Sequence, residues 1–321
     1  MPRARGNGVE LELETVGDRD GRPLLLVQGL GAQLTSIEDG FCRELAGRGF
    51  LVIRYDNRDA GLSTWFDEAG PVNLAAIWGG DHASLAYTLE DMADDAAAVL
   101  DAAGAAAAHV AGISLGGMIA QLLATRYPDR VLSLASIMST TGDRAVGRPT
   151  GEAARVLMSS MPGERDAFVE QAVANARAVS AGTAFPFDAD GVRRGAARNF
   201  DRANHPKGVG RQFAAILAAG DRTPALGDIR VPTLVVHGEE DQVIQVSGGE
   251  ATAAAIPGAR LLRVPGLGHE LPPGFWPTLA DALVENADRA DRGAGLEHEL
   301  PGPPTLRGAK LEPPGPSADG G

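Results

Sequence analysis

A serine between two glycines, in the run Gly112-Ile113-Ser114-Leu115-Gly116, has the spacing of a nucleophile at a tight turn. An apolar run precedes it and a helix-forming run follows it, which is the context that a G-x-S-x-G nucleophile requires. Such a turn strains the serine, lifts its hydroxyl clear of the sheet and directs the positive end of the new helix toward developing negative charge. Two simpler interpretations are that the glycines only mark a turn or that the serine only caps a helix. Nucleophilic catalysis is predicted if the chain supplies partners for Ser114.

A base and an acid follow Ser114 in the order that this chemistry needs. A serine hydroxyl is a weak nucleophile until a histidine takes its proton, and a carboxylate orients that histidine. Asp241 follows the run TLVVHGEE, and His269 follows the next apolar run in LLRVPGLGHELP. We predict Ser114 as nucleophile, His269 as general base and Asp241 as the orienting acid. Glu239 and Glu240 compete with Asp241, which we prefer because EEDQVI places it furthest into the loop.

The other histidines have weaker claims to a catalytic role. His109 and His237 occupy strand positions, so we predict that both are structural. The remaining three lie in a loop, in a long helical stretch and near the C-terminus, at His82, His205 and His298.

A tetrahedral intermediate also needs donors for its oxyanion, usually the amide after the nucleophile and one from the loop after an early strand. Leu115 supplies the first. The run LLLVQGLGAQ ends a predicted strand in a turn at residues 28–31, the QGLG turn, where Leu30 is the candidate second donor and Gln28 and Gly29 shape the backbone. The alternative is an ordinary turn at a strand end.

A charged cluster closes another predicted strand in IRYDNRDAGLST. We interpret Asp56, Arg58 and Asp59 as a buried polar network that braces neighbouring loops. A nucleophilic carboxylate would stand at the turn between strand and helix, the nucleophile elbow, where this chain has Ser114.

The elements that must position these residues alternate along the chain. Seven short, mostly apolar runs predict strands: VELELETV, PLLLVQGL, LVIRYD, AAHVAGIS, RVLSLASIM, TLVVHGEE and ARLLRVPG. Continuous apolar strands belong to parallel sheets covered by helices on both faces, so we predict a layered α/β fold. TLEDMADDAAAVLDAAG predicts a helix that Thr88 caps and that Asp91 favours three residues later.

The same patterns suggest a division of the chain into parts. Residues 1–142 and 226–290 are predicted to form the α/β core. Residues 143–225 lack good strand signals and carry helical apolar spacing, so we predict an inserted helical cap over the site. The Gly- and Pro-rich residues 291–321 predict a disordered tail.

Composition narrows the possible partners. The net charge of −13 and an isoelectric point near 4.9 disfavour nucleic acids and anionic membranes, because no basic stripe can neutralise phosphates. Because the charge disfavours phosphate-rich partners, a small-molecule ligand is expected. No apolar run is long enough to span a membrane and no secretory signal is visible, so a cytoplasmic protein is expected. The single cysteine, Cys42, is predicted to be a buried structural thiol. No metal-ligand spacing or dinucleotide fingerprint is present, so no cofactor is implied.

The elbow GISLGG, the QGLG turn, the segment RYDNRDAGLST and the ending VPGLGHELP together resemble the α/β-hydrolase superfamily from about residue 9 to about residue 288. Within it, VIRYDNRDAGLST, YTLEDMADDAAAVLD and PTLVVHGEEDQVI look like the aclacinomycin methylesterase and macrolide esterase branch. The resemblance implies the α/β-hydrolase fold, a helical cap, an acyl-enzyme mechanism and bulky natural-product esters, such as polyketide methyl esters or macrolide lactones. Many relatives carry His-Gly where this chain has Gln28 and Gly29, and the resemblance does not explain the tail.

The expected function is therefore a carboxylic ester hydrolase with a small-molecule substrate. The same triad also serves cofactor-free perhydrolases, haloperoxidase-like enzymes and lactonases. A receptor-like binder that keeps the fold is the alternative from another class, and the intact Ser, His and Asp set argues against it. Substrate choice depends on the insertion and on a loop containing Phe66, Trp78 and Tyr87, which either line a pocket or pack in the core.

Overall fold

A computed structural model describes residues 3–180 and 184–293, and within them eight strands form one sheet. The strands are β1 (Arg3–Gly6), β2 (Val9–Val16), β3 (Arg22–Val27), β4 (Phe50–Tyr55), β5 (Ala108–Ile113), β6 (Val131–Ile137), β7 (Thr233–Gly238) and β8 (Arg260–Val264). Each of the seven predicted runs overlaps a strand, and β1 is an addition that the sequence did not predict.

The sheet is mostly parallel, as predicted. Its order is β1-β2-β4-β3-β5-β6-β7-β8; β1 pairs with β2 and β2 with β4 in antiparallel fashion, and all later pairings are parallel. Every residue of β4 and of β7 is buried, which explains their mostly apolar character. Because β5, β7 and β8 run in the same direction, the loops that follow them meet at one edge of the sheet.

Helices cover both faces of this sheet and fill the long connection between β6 and β7. In chain order they are α1 (Asp39–Ala46), α2 (Leu74–Trp78), α3 (Leu89–Ala102), α4 (Leu115–Arg126), α5 (Gly151–Met158), α6 (Arg165–Val179), α7 (Ala189–Arg202), α8 (Pro206–Ala219), α9 (Thr223–Leu226), α10 (Ser247–Ala255) and α11 (Trp276–Gly293). The predicted cap of α3 is confirmed, since Thr88 and Asp91 form a reciprocal capping box.

Two apolar clusters form the core, one on each face of the sheet. Successive residues of β3 alternate between them: Leu25 and Val27 join residues of α3 and α4, whereas Leu24 and Leu26 join residues of α1 and α11. This alternation is the period of two that a pleated strand imposes. The sheet is therefore clamped from both sides, and its carboxyl edge is held in a fixed position.

Helices α5 to α8, hereafter the insertion helices, all fall inside the predicted insertion at residues 143–225. That this segment forms a separate cap over the site stays a prediction. Helix α11 continues to Gly293, three residues beyond the predicted end of the core, and the rest of the predicted tail lies outside the described residues. Among the helices that the structure describes, none combines the length and apolarity needed to cross a membrane.

Candidate active site

Ser114 occupies a sharp turn between β5 and α4. Its backbone has φ 55° and ψ −118°, a conformation that residues other than glycine rarely adopt. The Ser114 N–H donates to Ile137 O at 2.8 Å, and the Ser139 hydroxyl donates to Ser114 O at 2.8 Å. These bonds hold the strained residue at the carboxyl edge of the sheet.

The two glycines of the motif allow main chain to pack directly on main chain. A Cβ at Gly112 would lie 2.0 Å from Gly116 O, and one at Gly116 would lie 2.1 Å from Val27 O at the end of β3. Neither position can hold a side chain without moving backbone. The glycines are therefore explained by close approach at the elbow.

Asp241 and His269 meet at the same edge, on the loops that follow β7 and β8. His269 Nδ1 lies 2.7 Å from Asp241 Oδ2, and Asp241 Oδ1 accepts from the amides of Val243 and Ile244 at 2.8 and 2.9 Å. The Asp241 side chain has no solvent exposure, and that of His269 retains 15%. The carboxylate is thus fixed by two main-chain donors before it contacts the ring.

Electrostatics keep this carboxylate ionised. Burial by itself raises the pKa of Asp241, but His269, His237 and the Ile244 amide outweigh burial and lower this pKa from 3.8 to about 2. An ionised carboxylate only accepts hydrogen bonds, so His269 Nδ1 carries the proton and donates it toward Asp241. In the neutral ring, Nε2 is then free to accept a proton.

His237 has a role that its strand position did not reveal. Its fully buried ring places Nε2 2.7 Å from Ile244 O and 3.5 Å from Asp241 Oδ2. His237 therefore fixes the same loop that presents Asp241. The available signal was its position four residues before Asp241 in TLVVHGEED.

The QGLG turn lies against the elbow. A Cβ at Gly29 would be 3.6 Å from Ser114 Cβ, and Ala32 N–H donates to Gly29 O at 3.3 Å, which closes the turn. Gly31 N–H donates to Gln212 Oε1 at 2.8 Å.

Two amides at this point are available to a bound oxygen. Within the described residues, Leu30 N–H has no hydrogen-bond partner, although both the next amide and that of Ala32 are engaged. Leu115 is the first residue of α4, where an amide has no acceptor inside the helix. These are the two residues predicted as oxyanion donors.

The predicted residues are not all joined by hydrogen bonds. No hydrogen bond joins Ser114 Oγ to His269 among the residues that the structure describes, whereas His269 N–H donates to Val179 O of α6 at 3.2 Å. Catalytic hydrogen bonds are often long before substrate binds and tighten in the complex. Of the competing acids, Glu239 pairs with Arg263 at 2.9 Å and Glu240 is exposed.

The charged cluster after β4 forms buried ion pairs. Arg58 makes a bidentate pair with Asp95 at 2.6 and 2.8 Å, and Asp59 makes one with Arg211 of α8 at 2.7 and 2.8 Å. Asp56 accepts from main-chain amides of the two flanking loops and pairs with an arginine of α7. These contacts agree with the predicted bracing role and also tie the core to the insertion helices.

The other described histidines lie outside the triad. His82 is exposed, and His109 is buried with Nδ1 2.9 Å from Ser133 Oγ. His205 lies 3.4 Å from Asp59 and stacks on Trp65 with ring centroids 4.1 Å apart. His298 lies outside the described residues.

A cleft of about 700 Å³ separates the QGLG turn from the insertion helices, which is within the usual size of a small-molecule site. Its walls include Leu30 on the core side and Phe168, Val192 and Gly195 on α6 and α7. A smaller space of about 180 Å³ is lined by His269. The two spaces share four lining residues and therefore adjoin: Glu38, Asp188, Gly191 and Val192.

The aromatic residues suggested for a pocket do not line this cleft. Tyr87 is buried and donates to Asp59 Oδ2 at 2.8 Å, and Phe66 packs on Tyr87 with centroids 5.1 Å apart. Trp78 is 54% exposed. No group of three His, Cys, Asp or Glu residues within the described ranges is arranged to hold a metal ion.

Comparisons with known proteins identify the family to which the fold belongs. The family model described as alpha/beta hydrolase fold matches residues 22–272. The chain belongs to the α/β-hydrolase family, as the sequence predicted.

Its curated relatives include enzymes that act on esters. The chain is 31% identical over 304 residues to the rhodomycin D methylesterase of Streptomyces sp. (strain C5), covering 88% of this chain and 96% of that protein. It is 28% identical over 235 residues to a bifunctional esterase/perhydrolase of Acinetobacter calcoaceticus, covering 70% and 76%. A meta-cleavage product hydrolase from Pseudomonas fluorescens IP01 superposes with a TM-score of 0.70 at 19% identity over 90% of this chain and 97% of that one. The methylesterase relative and the family match confirm the expectation of a carboxylic ester hydrolase.

Proposed function

We propose that the chain hydrolyses carboxylic esters with Ser114 as nucleophile, His269 as general base and Asp241 as the carboxylate that orients the base. The observation that carries the proposal is the 2.7 Å contact between His269 Nδ1 and Asp241 Oδ2. It lies at the sheet edge that also carries the strained Ser114. Ionised Asp241 fixes the ring tautomer and stabilises the imidazolium that forms during reaction.

In the acylation half, His269 Nε2 takes the proton of Ser114 Oγ while Oγ forms a bond to the ester carbonyl carbon. The carbonyl electron pair moves onto oxygen, where the Leu30 and Leu115 amides stabilise the negative charge. The tetrahedral intermediate collapses as the bond to the alcohol oxygen breaks. The imidazolium of His269 protonates the departing alcohol.

In the deacylation half, His269 removes a proton from water, and the water oxygen bonds to the acyl carbon. The same amides hold the second oxyanion. Collapse breaks the bond to Ser114 Oγ, which regains a proton from His269 and releases the acid. The carboxylate of Asp241 stays ionised throughout, as its low pKa of about 2 requires.

For the substrate, we propose the methyl ester of a bulky natural product. By its name, the methylesterase relative acts on rhodomycin D, and the match covers 88% of the present chain. The cleft of about 700 Å³ beside Leu30 has room for a multi-ring acyl group. Phe168 and Val192 supply apolar surface on its outer wall.

The test is hydrolysis of p-nitrophenyl acetate and butyrate and of a methyl anthraquinone carboxylate, with Ser114→Ala beside the wild type. We expect turnover by the wild type alone, with a preference for the multi-ring methyl ester by kcat/KM. Equal turnover by both proteins would overturn the assignment of Ser114. If neither is active, labelling of Ser114 by a fluorophosphonate separates a wrong substrate class from a binding protein, because only a reactive serine is labelled.

Perhydrolysis is a second candidate, favoured by the bifunctional esterase/perhydrolase relative. Hydrogen peroxide would replace water in the deacylation half and release a peracid from the same acyl-enzyme. The check is peracid formation from acetate ester and peroxide, measured by bromide-dependent halogenation. Its absence while ester hydrolysis proceeds would leave hydrolysis as the only activity.

A further inference from the structure

A fully buried glutamine of α8 bridges the QGLG turn and the loop after β4. Gln212 Oε1 accepts from Gly31 N–H at 2.8 Å, and Gln212 Nε2 donates to Arg58 O at 2.7 Å. A main-chain N–H can only donate and a carbonyl can only accept, so these partners fix which way the amide points. The side chain therefore links two parts of the core from the insertion side.

The end of the link at Arg58 is rigid. The Arg58 side chain is buried in its bidentate pair with Asp95 of α3. Asp59, the next residue, is held by Arg211 of the same helix α8. The carbonyl that receives Gln212 is thus held on both sides by buried ion pairs.

The other end of the link is the residue after the candidate oxyanion donor. Gly31 has φ +67°, and a Cβ there would lie 2.9 Å from Val209 Cγ2 of α8, so helix and turn are in close contact. Holding the Gly31 amide restricts rotation about the Leu30 backbone. The direction of the Leu30 N–H is set by that rotation and by the closed turn at Gly29.

We infer that Gln212 is a positioning residue that aims the Leu30 amide at the reacting carbonyl and makes the oxyanion site depend on the placement of α8. This inference rests on the proposed function, in which Leu30 stabilises the oxyanion. Gln212 acts through the turn and does not touch the substrate. Small misplacements of such donors cost large factors in rate, because they act on charge that develops only in the transition state.

The first variant is Gln212→Leu, which keeps a side chain of similar size and removes both hydrogen bonds. Acylation and deacylation use the same oxyanion site, so kcat for p-nitrophenyl butyrate should fall about 10- to 100-fold with little change in KM. The matched control is Asn286→Leu. Asn286 is also buried and donates to Leu134 O and Pro232 O at 3.0 and 3.2 Å, near the opposite edge of the sheet. Both variants should lower Tm, but only Gln212→Leu should lower kcat of the folded protein.

The second variant, Gln212→Glu, gives a readout that a purely structural role would not move. A protonated carboxyl has the shape of the amide and can donate to Arg58 O while it accepts from Gly31 N–H. An ionised carboxylate cannot donate and faces a carbonyl oxygen. Burial raises the pKa of such a carboxyl, so the ratio of variant to wild-type kcat should be near one at about pH 6 and fall at least about 10-fold toward about pH 9. A pH-independent ratio would contradict the inference.

Fluorophosphonate labelling separates this inference from the proposed function. Attack of Ser114 on the phosphonyl centre also develops negative charge on oxygen, so labelling should slow in Gln212→Leu as kcat does, even if the chosen esters are poor substrates. Wild-type labelling without ester turnover would count against the proposed substrates alone. Equal labelling rates and equal kcat in wild type, Gln212→Leu and Asn286→Leu would overturn the role of Gln212.

Discussion

His269 Nδ1 lies 2.7 Å from Asp241 Oδ2, although the two residues stand 28 positions apart on separate loops. The Val243 and Ile244 amides hold the Asp241 carboxylate in place. The carboxylate therefore fixes the orientation of the His269 ring. In the proposed mechanism, the orientation of His269 as the base therefore depends on the ionised state of Asp241. Two predictions follow from that dependence.

Asp241→Asn should lower kcat by about four orders of magnitude, because an amide that donates to the ring favours the wrong tautomer. Ester hydrolysis under saturating substrate measures the effect. Glu239→Gln is the matched control, since Glu239 pairs with Arg263 on the surface, and it should leave kcat unchanged within about two-fold. A loss below about ten-fold in Asp241→Asn would show that another acid orients His269.

Asp241 should also stabilise the fold in a pH-dependent way. Its pKa is about 2 in the folded protein and about 3.9 in an unfolded chain. A lowered folded-state pKa gives stability that is present above the unfolded pKa and lost as pH falls through the folded one. Between about pH 5 and about pH 1, the free energy of unfolding should lose about 2.6 kcal/mol from this group. Urea unfolding of wild type and Asp241→Asn at several pH values measures it; parallel curves would contradict the prediction.

Ser114→Gly and Ser114→Ala should both abolish hydrolysis but differ in stability. Glycine relieves the strain of φ 55°, whereas alanine keeps a Cβ in the same conformation. We expect the free energy of unfolding of Ser114→Gly to exceed that of Ser114→Ala by about 1 kcal/mol. Thermal unfolding compares the two variants, and equal stabilities would mean that the strain does not exceed the larger conformational entropy that glycine loses on folding.

Gly195→Trp should narrow the substrate range. A Cβ at Gly195 on α7 meets nothing within 4 Å, and the residue lines the large cleft, so an indole would enter the cleft. We expect kcat/KM for the multi-ring methyl ester to fall at least about ten-fold and that for p-nitrophenyl acetate to stay within about three-fold.

Gly195→Ala is the control for this substitution. Replacing glycine within a helix should raise the stability by about 0.5 to 1 kcal/mol without filling the cleft. Both esters should therefore be hydrolysed as by the wild type. Unchanged hydrolysis of the large ester by Gly195→Trp would place the substrate elsewhere.

The Cys42 thiol should be unreactive in the native protein. Its side chain has no exposure, and burial raises its pKa to about 11, so little thiolate is present near neutral pH. Ellman's reagent should react with one thiol per chain in denaturant and with none in the folded protein. Rapid native reaction, or loss of ester hydrolysis on treatment, would show an accessible thiol near the site.

The fold was largely predictable because its central strands are buried on both faces. Their apolar runs, such as FLVI within β4, indicated parallel pairing without any knowledge of partners. Strand β1 was missed because RARG carries two arginines and little apolar surface; it lies at the sheet margin and pairs only with β2. Edge strands have weak apolar patterns because part of their surface is exposed to water.

The candidate site was predictable where the chemistry demands particular residue types in a particular order. Sequence gave no comparable signal for Gln212, whose partner Gly31 lies 181 positions away. The helical spacing of α8 emphasises apolar positions such as Phe213, yet Arg211 and Gln212 are buried and Phe213 is only partly so. Polar residues are buried there because each finds a specific partner on the core, which no local pattern encodes.

The elbow's packing of main chain on main chain has a consequence for how this molecule can acquire new substrates. At Gly112 and Gly116 the nearest atoms are carbonyl oxygens of Gly116 and Val27, and substitution cannot reshape a carbonyl. The elbow is therefore closed to gradual variation, whereas the walls of the large cleft on α6 and α7 carry replaceable side chains such as Phe168 and Val192. A laboratory search for altered selectivity has most to gain from libraries on those two helices, with residues 112–116 left untouched.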